Sequence, residues 1–316
     1  WLYMVRGLGG VAMSAKDDKT QQMQTQIYPQ VRIKTFGEFT VERLIDIPQR
    51  GCRKPRYESF TWEYLHSRGT AIAMLKVLLC CPQRRATKQE LIAELWPQKS
   101  PRQSTHMLDV AASVLRRQIL HTANGKSLLI TQRRNSETSF TLPEQAELWI
   151  DADAFLHIAN AVLAMETHGH NPRLLLEKAY TMVSGEFLED NLRDSWSQKR
   201  RQTIRGTRSR ILYHLVDLYQ HEHCPRQAEA LLYVYLEGFP TDEDALCRLL
   251  TLLIAQGRWH EALDMYRYTC TALGEEQREP SPYTQALIKS FREQRIIREH
   301  TLAYQVPRLY VLSTTA

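Results

Sequence analysis

The chain has 316 residues with 43% hydrophobic and 24% charged, which favours two domains and excludes a disordered or low-complexity chain. No apolar run approaches the roughly 20 residues that cross a bilayer, so no membrane partner is expected. The net charge of +6 is unevenly divided: residues 31–150 hold 19 Lys+Arg against 11 Asp+Glu, whereas residues 151–316 hold 19 against 22. That asymmetry suits one segment to a polyanion and the other to a different task.

Residues 1–30 read as a disordered leader. Arg6, Gly7, Gly9 and Gly10 break the apolar stretch before V-A-M-S-A (11–15), so a disordered or mis-started leader is expected rather than a secretory signal, with Met4 and Met13 as candidate starts. VRIKTFGEFTVERL (31–44) alternates about Gly37-Glu38 and predicts two short strands joined by a tight turn. Residues 48–69, with two prolines, two glycines and seven charges, predict an inserted loop with a short helix at Thr61–His66.

Three helices follow. Ala71–Cys81 is strongly apolar and is stopped by Pro82. Thr87-Lys88-Gln89-Glu90 is a capping box, opening a helix that ends at Pro97. The third helix spans about Ser104 to Leu120, with Leu108, Ala111, Ala112, Leu115 and Ile119 on one buried face. His106, Val110, Ser113 and Arg117 lie opposite, and Val114 and Arg116 flank them. Leu128–Arg133 and Ser139–Leu142 then predict a hairpin with a polar tip. Strands, three helices and a hairpin within about 110 residues make the order of a winged helix-turn-helix.

Small and basic residues facing outward from a third helix suit a major groove, where a guanidinium pairs with guanine and small apolar groups meet thymine methyls. Arg116-Arg117 taken alone equally suit a solvated helix C-terminus. The hairpin pair Arg133-Arg134 and the basic bias of the segment tip that balance toward DNA. Lys88, with the wing arginines, is expected on the phosphate backbone.

From Asp151 onward the pattern is helical. An Asp-capped helix comes first, and Asn171-Pro172 caps a second. A long helix covers roughly Arg193–Gln220. Its basic run (Arg193, Lys199, Arg200, Arg201, Arg205, Arg208, Arg210) reads as solvated charge, with an extended DNA surface as the alternative. PRQAEALLYVYLE (225–237) and GRWHEALDMYRY (257–268) share R-x-x-E-A-L, at the period of tetratricopeptide-like hairpins in which small Ala residues let helices approach. Scaffolds of this kind bind partners.

Six cysteines (Cys52, Cys80, Cys81, Cys224, Cys247, Cys270) without CxxC spacing read as free thiols of a reducing compartment. His221, His223 and Cys224 have no second ligand pair nearby and read as a surface loop. No metal and no cofactor are expected.

Over about 31–295 the chain resembles the bacterial transcriptional activator domain proteins, the SARP-like regulators. VRIKTFGEFTVE, ATKQELIAELWP and THMLDVAASVLRRQI are similar to an OmpR/PhoB-type winged helix. WIDADAFLHIAN, LEKAYTMVSGEFLEDN and GRWHEALDMYRY…EPSP are similar to the activator domain. The chain departs from the pattern in the 48–69 insertion, in Val114 where a basic residue is frequent, and in a wing that lacks the Gly-Tyr-Arg ending.

The resemblance implies a mostly α protein: a disordered leader (1–30), a winged helix-turn-helix domain (31–147), an all-α tetratricopeptide-like activator domain (148–298) and a tail (299–316). It implies a cytoplasmic transcriptional activator that binds double-stranded DNA at repeated sites, as a candidate homodimer, and recruits RNA polymerase. Val110, Val114, Arg116 and Arg117 would correspond to groove-facing residues, and Arg133-Arg134 to the wing.

An enzyme is the first rival reading, but the chain has no nucleophile elbow, HExxH or GxxxxGK[ST] string. The second rival is a helical-repeat interaction scaffold whose winged helix no longer binds DNA. Retention of Arg116, Arg117, Arg133 and Arg134 argues against such decay.

Overall fold

The computed structural model describes residues 28–46, 55–135, 137–165 and 173–305. The leader up to residue 27, Cys52, Ser136 of the wing tip, the Asn171-Pro172 cap and the end of the tail lie outside the described residues.

β1 (Val31–Lys34) and β2 (Thr40–Asp46) pair antiparallel, and the turn between them uses Gly37 at φ +71°, a backbone state open to glycine. β3 (Arg56–Ser59) joins the outer side of β2 and is followed by α1 (Trp62–His66). The segment read from sequence as a loop with a short helix therefore also holds a strand. RYES has no apolar alternation to announce it. Its pairing with β2 and the contacts of Tyr57 hold it: the hydroxyl donates to Pro29 O at 2.8 Å, and Arg32 stacks 3.6 Å over the ring.

α2 (Gly69–Cys80) is buried along most of its length, as its apolar sequence requires. β4 (Arg85–Thr87) then leads into α3 (Lys88–Leu95) through the capping box: Glu90 N–H donates to Thr87 Oγ1 at 3.2 Å, and Thr87 N–H donates to Glu90 Oε2 at 2.7 Å. α4 (Pro101–Val114) continues into a π-turn over Leu115–Ile119. The third helix thus starts three residues before the predicted Ser104, because Ser100 caps it and Pro101 occupies its first position.

β5 (Ile130–Arg134) and β6 (Glu137–Thr141) form the wing, and β6 pairs with β4 to give the sheet order β4-β6-β5. β7 (Leu148–Ile150) returns to the first sheet and pairs parallel to β1, giving β3-β2-β1-β7.

The second half is a run of helices: α5 (Asp151–Met165), α6 (Arg173–Thr181), α7 (Ser195–His221), α8 (Pro225–Gly238), α9 (Glu243–Ala255), α10 (Trp259–Glu275) and α11 (Pro282–Gln305). From α5 to α9 each packs on its successor, and α11 packs back on α9. Arg258, from the repeated R-x-x-E-A-L, donates to Glu261 of its own repeat at 2.8 Å and to Glu229 of the preceding one at 2.5 Å, so the motif clamps repeat to repeat. The aligned alanines differ: Ala262 is buried whereas Ala230 is exposed and Ala228 packs instead. No helix among the described residues is long and apolar enough to cross a membrane.

The two halves share one hydrophobic core running from Val31 to Ile288. Asp151, 7% exposed, accepts from Thr35 N–H at 2.8 Å, Thr35 Oγ1 at 2.6 Å and Ala152 N–H at 2.7 Å, binding the start of α5 to the end of β1. Burial pushes its carboxyl above the usual aspartate value, and these donors pull it back.

The basic run on α7 departs from its reading as solvated charge. Arg201 is buried and donates to the carbonyls of Phe187, Leu192 and Asn191. Arg200 and Arg84, one from each half, both bind Asp153. Arg205 pairs with Glu186, and Arg208 stacks on Tyr180, Tyr235 and Phe239. Lys199, Arg193 and Arg210 stay exposed. The four partnered arginines are spent on joining elements within the protein.

Candidate nucleic-acid interface

α3 and α4 form the helix-turn-helix, connected by Trp96–Ser100 and packed on α2. The inner face of α4 is made by Ser104, Leu108, Ala111 and Ala112, with Leu115 and Ile119 of the π-turn, all buried. His106, Val110 and Arg117 are exposed and Ser113 is half-buried, so these four form one outward line along the helix. Val110 is 48% exposed, an apolar side chain on the outer surface of the helix.

Other residues singled out in the sequence lie elsewhere. Val114 is partly buried and packs against the core, so its side chain leans away from the outward line. Arg116 is half-buried and reaches sideways: its guanidinium donates to Thr131 Oγ1 on β5 at 2.5 Å and lies 5.8 Å from the Phe140 ring centre. Lys88, at the first position of α3, is ion-paired with Asp109 of α4 at 2.9 Å and so cross-links the two helices. Arg133 and Arg134 are both exposed on β5. Because side chains alternate along a strand, Arg133 shares the face of Thr131, which meets Arg116 of the π-turn, and Arg134 points to the other face opposite Glu137.

Sequence reasoning missed Arg102 and Gln103. Both are exposed in the first turn of α4, the end that a helix-turn-helix directs at base edges. The signal was present in Ser100-Pro101, a cap followed by a first-turn proline.

No group of three or more potential metal ligands occurs among the described residues. His221 and His223 are exposed at the α7–α8 turn. The five described cysteines are unpaired. Burial pushes the Cys80 thiol up to about 12 and the Cys81 thiol up to about 11, so both stay protonated at neutral pH. On the helical half, a groove of about 340 Å³ opens between α9, α10 and α11, lined by Ile254, Trp259, Ile288 and Phe291 with Arg292 beside them.

The fold is that of a winged helix with a helical-repeat domain fused to it. Residues 150–292 match the family model of the bacterial transcriptional activator domain, so the helical half is similar to that domain. The structure is similar to that of Mycobacterium tuberculosis EmbR, solved in complex with a low affinity phosphopeptide, with a TM-score of 0.59 at 16% identity. The match covers 84% of this chain and 65% of that one, and at this identity it speaks for the fold. No curated protein matches the chain in sequence.

Proposed function

We propose that the protein is a sequence-specific DNA-binding transcriptional activator of the cytoplasm. α4 enters the major groove and offers His106, Val110, Ser113 and Arg117 to base edges, with Arg102 and Gln103 at the leading end. Arg133 and Arg134 of the wing hold the phosphate backbone, and Lys88 sits within reach of it once Asp109 is displaced. Two copies bind repeated sites, and the helical repeats contact RNA polymerase, with the apolar groove beside Trp259 and Phe291 as a surface for that contact.

The observation that carries this reading is the outward line on α4. A polar, apolar and cationic sequence with no partner among the described residues is placed on a helix whose opposite face is wholly buried. Protein–DNA affinity resides largely in such cationic contacts, so an Arg117/Arg133/Arg134 triple alanine variant should lose on the order of a hundredfold in a mobility shift at fixed salt. Unchanged affinity in that variant would refute DNA binding by this surface.

A further inference from the structure

The arginine pair on the third helix looks in sequence like two equivalent DNA contacts, but the structure separates them. We infer that Arg116 is a positioning residue: it struts the wing against the recognition helix, while Arg117 alone of the pair faces a ligand. The inference deepens the proposed DNA reading and rests on it.

The separation begins in the backbone. At Leu115 the helix changes from α to π spacing, and Leu120 N–H donates to Leu115 O at 2.7 Å, five residues back. Such turns widen the helix locally and shift the residues within them out of the 3.6 register. Leu115 and Ile119 remain buried, Arg117 remains exposed, and Arg116 is left half-buried on the side of β5.

There its guanidinium meets the wing twice. It donates to Thr131 Oγ1, and it lies against the buried ring of Phe140 on the paired strand β6. A second tether acts at the other end of the same loop, where Leu128 N–H donates to Leu120 O at 2.7 Å. The wing is thus held at its entry by backbone and along β5 by one arginine. Thr131 and Arg133 share a strand face, so the strut that fixes Thr131 also sets where Arg133 points.

A strut and a base reader respond differently to substitution. In the full chain without DNA, Arg116→Ala and Thr131→Val should both raise hydrogen exchange over residues 130–141 and leave α2 unchanged. Binding is measured on a duplex enriched by the wild-type chain from a random pool, and on a mixed-sequence duplex. Both variants should lose about 2- to 10-fold on both probes, the range expected for one hydrogen bond, and pools enriched by Arg116→Ala should keep the wild-type base preferences. Arg133→Ala should cost less in the Arg116→Ala background than in the wild type, because the wing through which it acts is already displaced.

A Thr131→Val variant with wild-type exchange and binding, or an Arg116→Ala pool altered at a single base position, would overturn the strut. A wild-type chain that enriches no duplex would defeat the DNA reading instead, and the exchange measurement would still decide the strut.

Discussion

Arg117 and Arg133 carry the same charge but stand in different geometries, and that difference predicts different phenotypes. Arg117 is exposed in the π-turn that continues α4, and the proposed function gives its fork to a base edge. Bidentate guanine contacts are worth about 1–3 kcal/mol of discrimination. Arg117→Ala should therefore lose about that much on the preferred duplex and relax the preference at one base step. Arg133 lies on a two-stranded wing, where a phosphate contact is the expected role. Arg133→Ala should weaken binding to all duplexes alike and lower the slope of log K against log[salt] by about 0.9. Titrations at several salt concentrations on preferred and mixed duplexes separate the two, and identical profiles would contradict the assignment.

At the scale of elements, α3 shows how far local chemistry reaches. Thr87 closes β4 and caps α3 in the same residue, with Glu90 returning the hydrogen bond. Removing such a cap costs about 1 kcal/mol, so Thr87→Ala should lower the urea midpoint of unfolding accordingly, with an unchanged denaturant slope. An unaltered midpoint would mean that β4 pairing alone positions the helix.

The same chemistry explains what the sequence could show. α2, α3 and the inner face of α4 are legible because caps, prolines and apolar spacing are local signals. β3 and β7 are not: Leu148–Ile150 is three residues long, and its partner β1 lies over a hundred positions earlier. The candidate site divides in the same way. The line His106, Val110, Ser113 and Arg117 follows from the 3.6 period. The sideways turn of Arg116, the packing of Val114 and the pairing of Lys88 with Asp109 depend on a π-turn and on neighbours that only the tertiary structure supplies. The partners of the α7 arginines sit on α5, α6, α8 and the segment before α7, a placement that charge along a helix does not reveal.

At the scale of the molecule, the two halves meet at a dense joint. β7 lies beside β1, and Asp151 ties α5 to Thr35. Gly37 N–H donates to Glu186 O at 3.0 Å, and Leu188 N–H donates to Thr35 O at 2.8 Å. Leu188 holds a left-handed φ of +50°, a strained state for a branched residue, and is fully buried at this joint. Lys76 of α2, also buried, donates to Asn191 at 2.7 Å and lies 4.7 Å over Phe39. Burial lowers its pKa from the usual lysine value, against the pull of Asp190.

Such a joint packs the winged helix and the repeats into one body, and under the proposed function it would hold a polymerase contact at a fixed place relative to bound DNA. Gly185 tests the arrangement. A Cβ there would meet the Gly37 backbone at 2.9 Å, and backbone cannot move aside as a flexible side chain does. Gly185→Ala should cost about 1–3 kcal/mol, as overpacking does. It should also split a single unfolding transition into two, with hydrogen exchange rising at Thr35–Gly37 and at Gly185–Leu188 together. A variant that still unfolds in one transition at the wild-type midpoint would show that the halves are coupled elsewhere, through Asp153 and its two arginines rather than through the glycine contact.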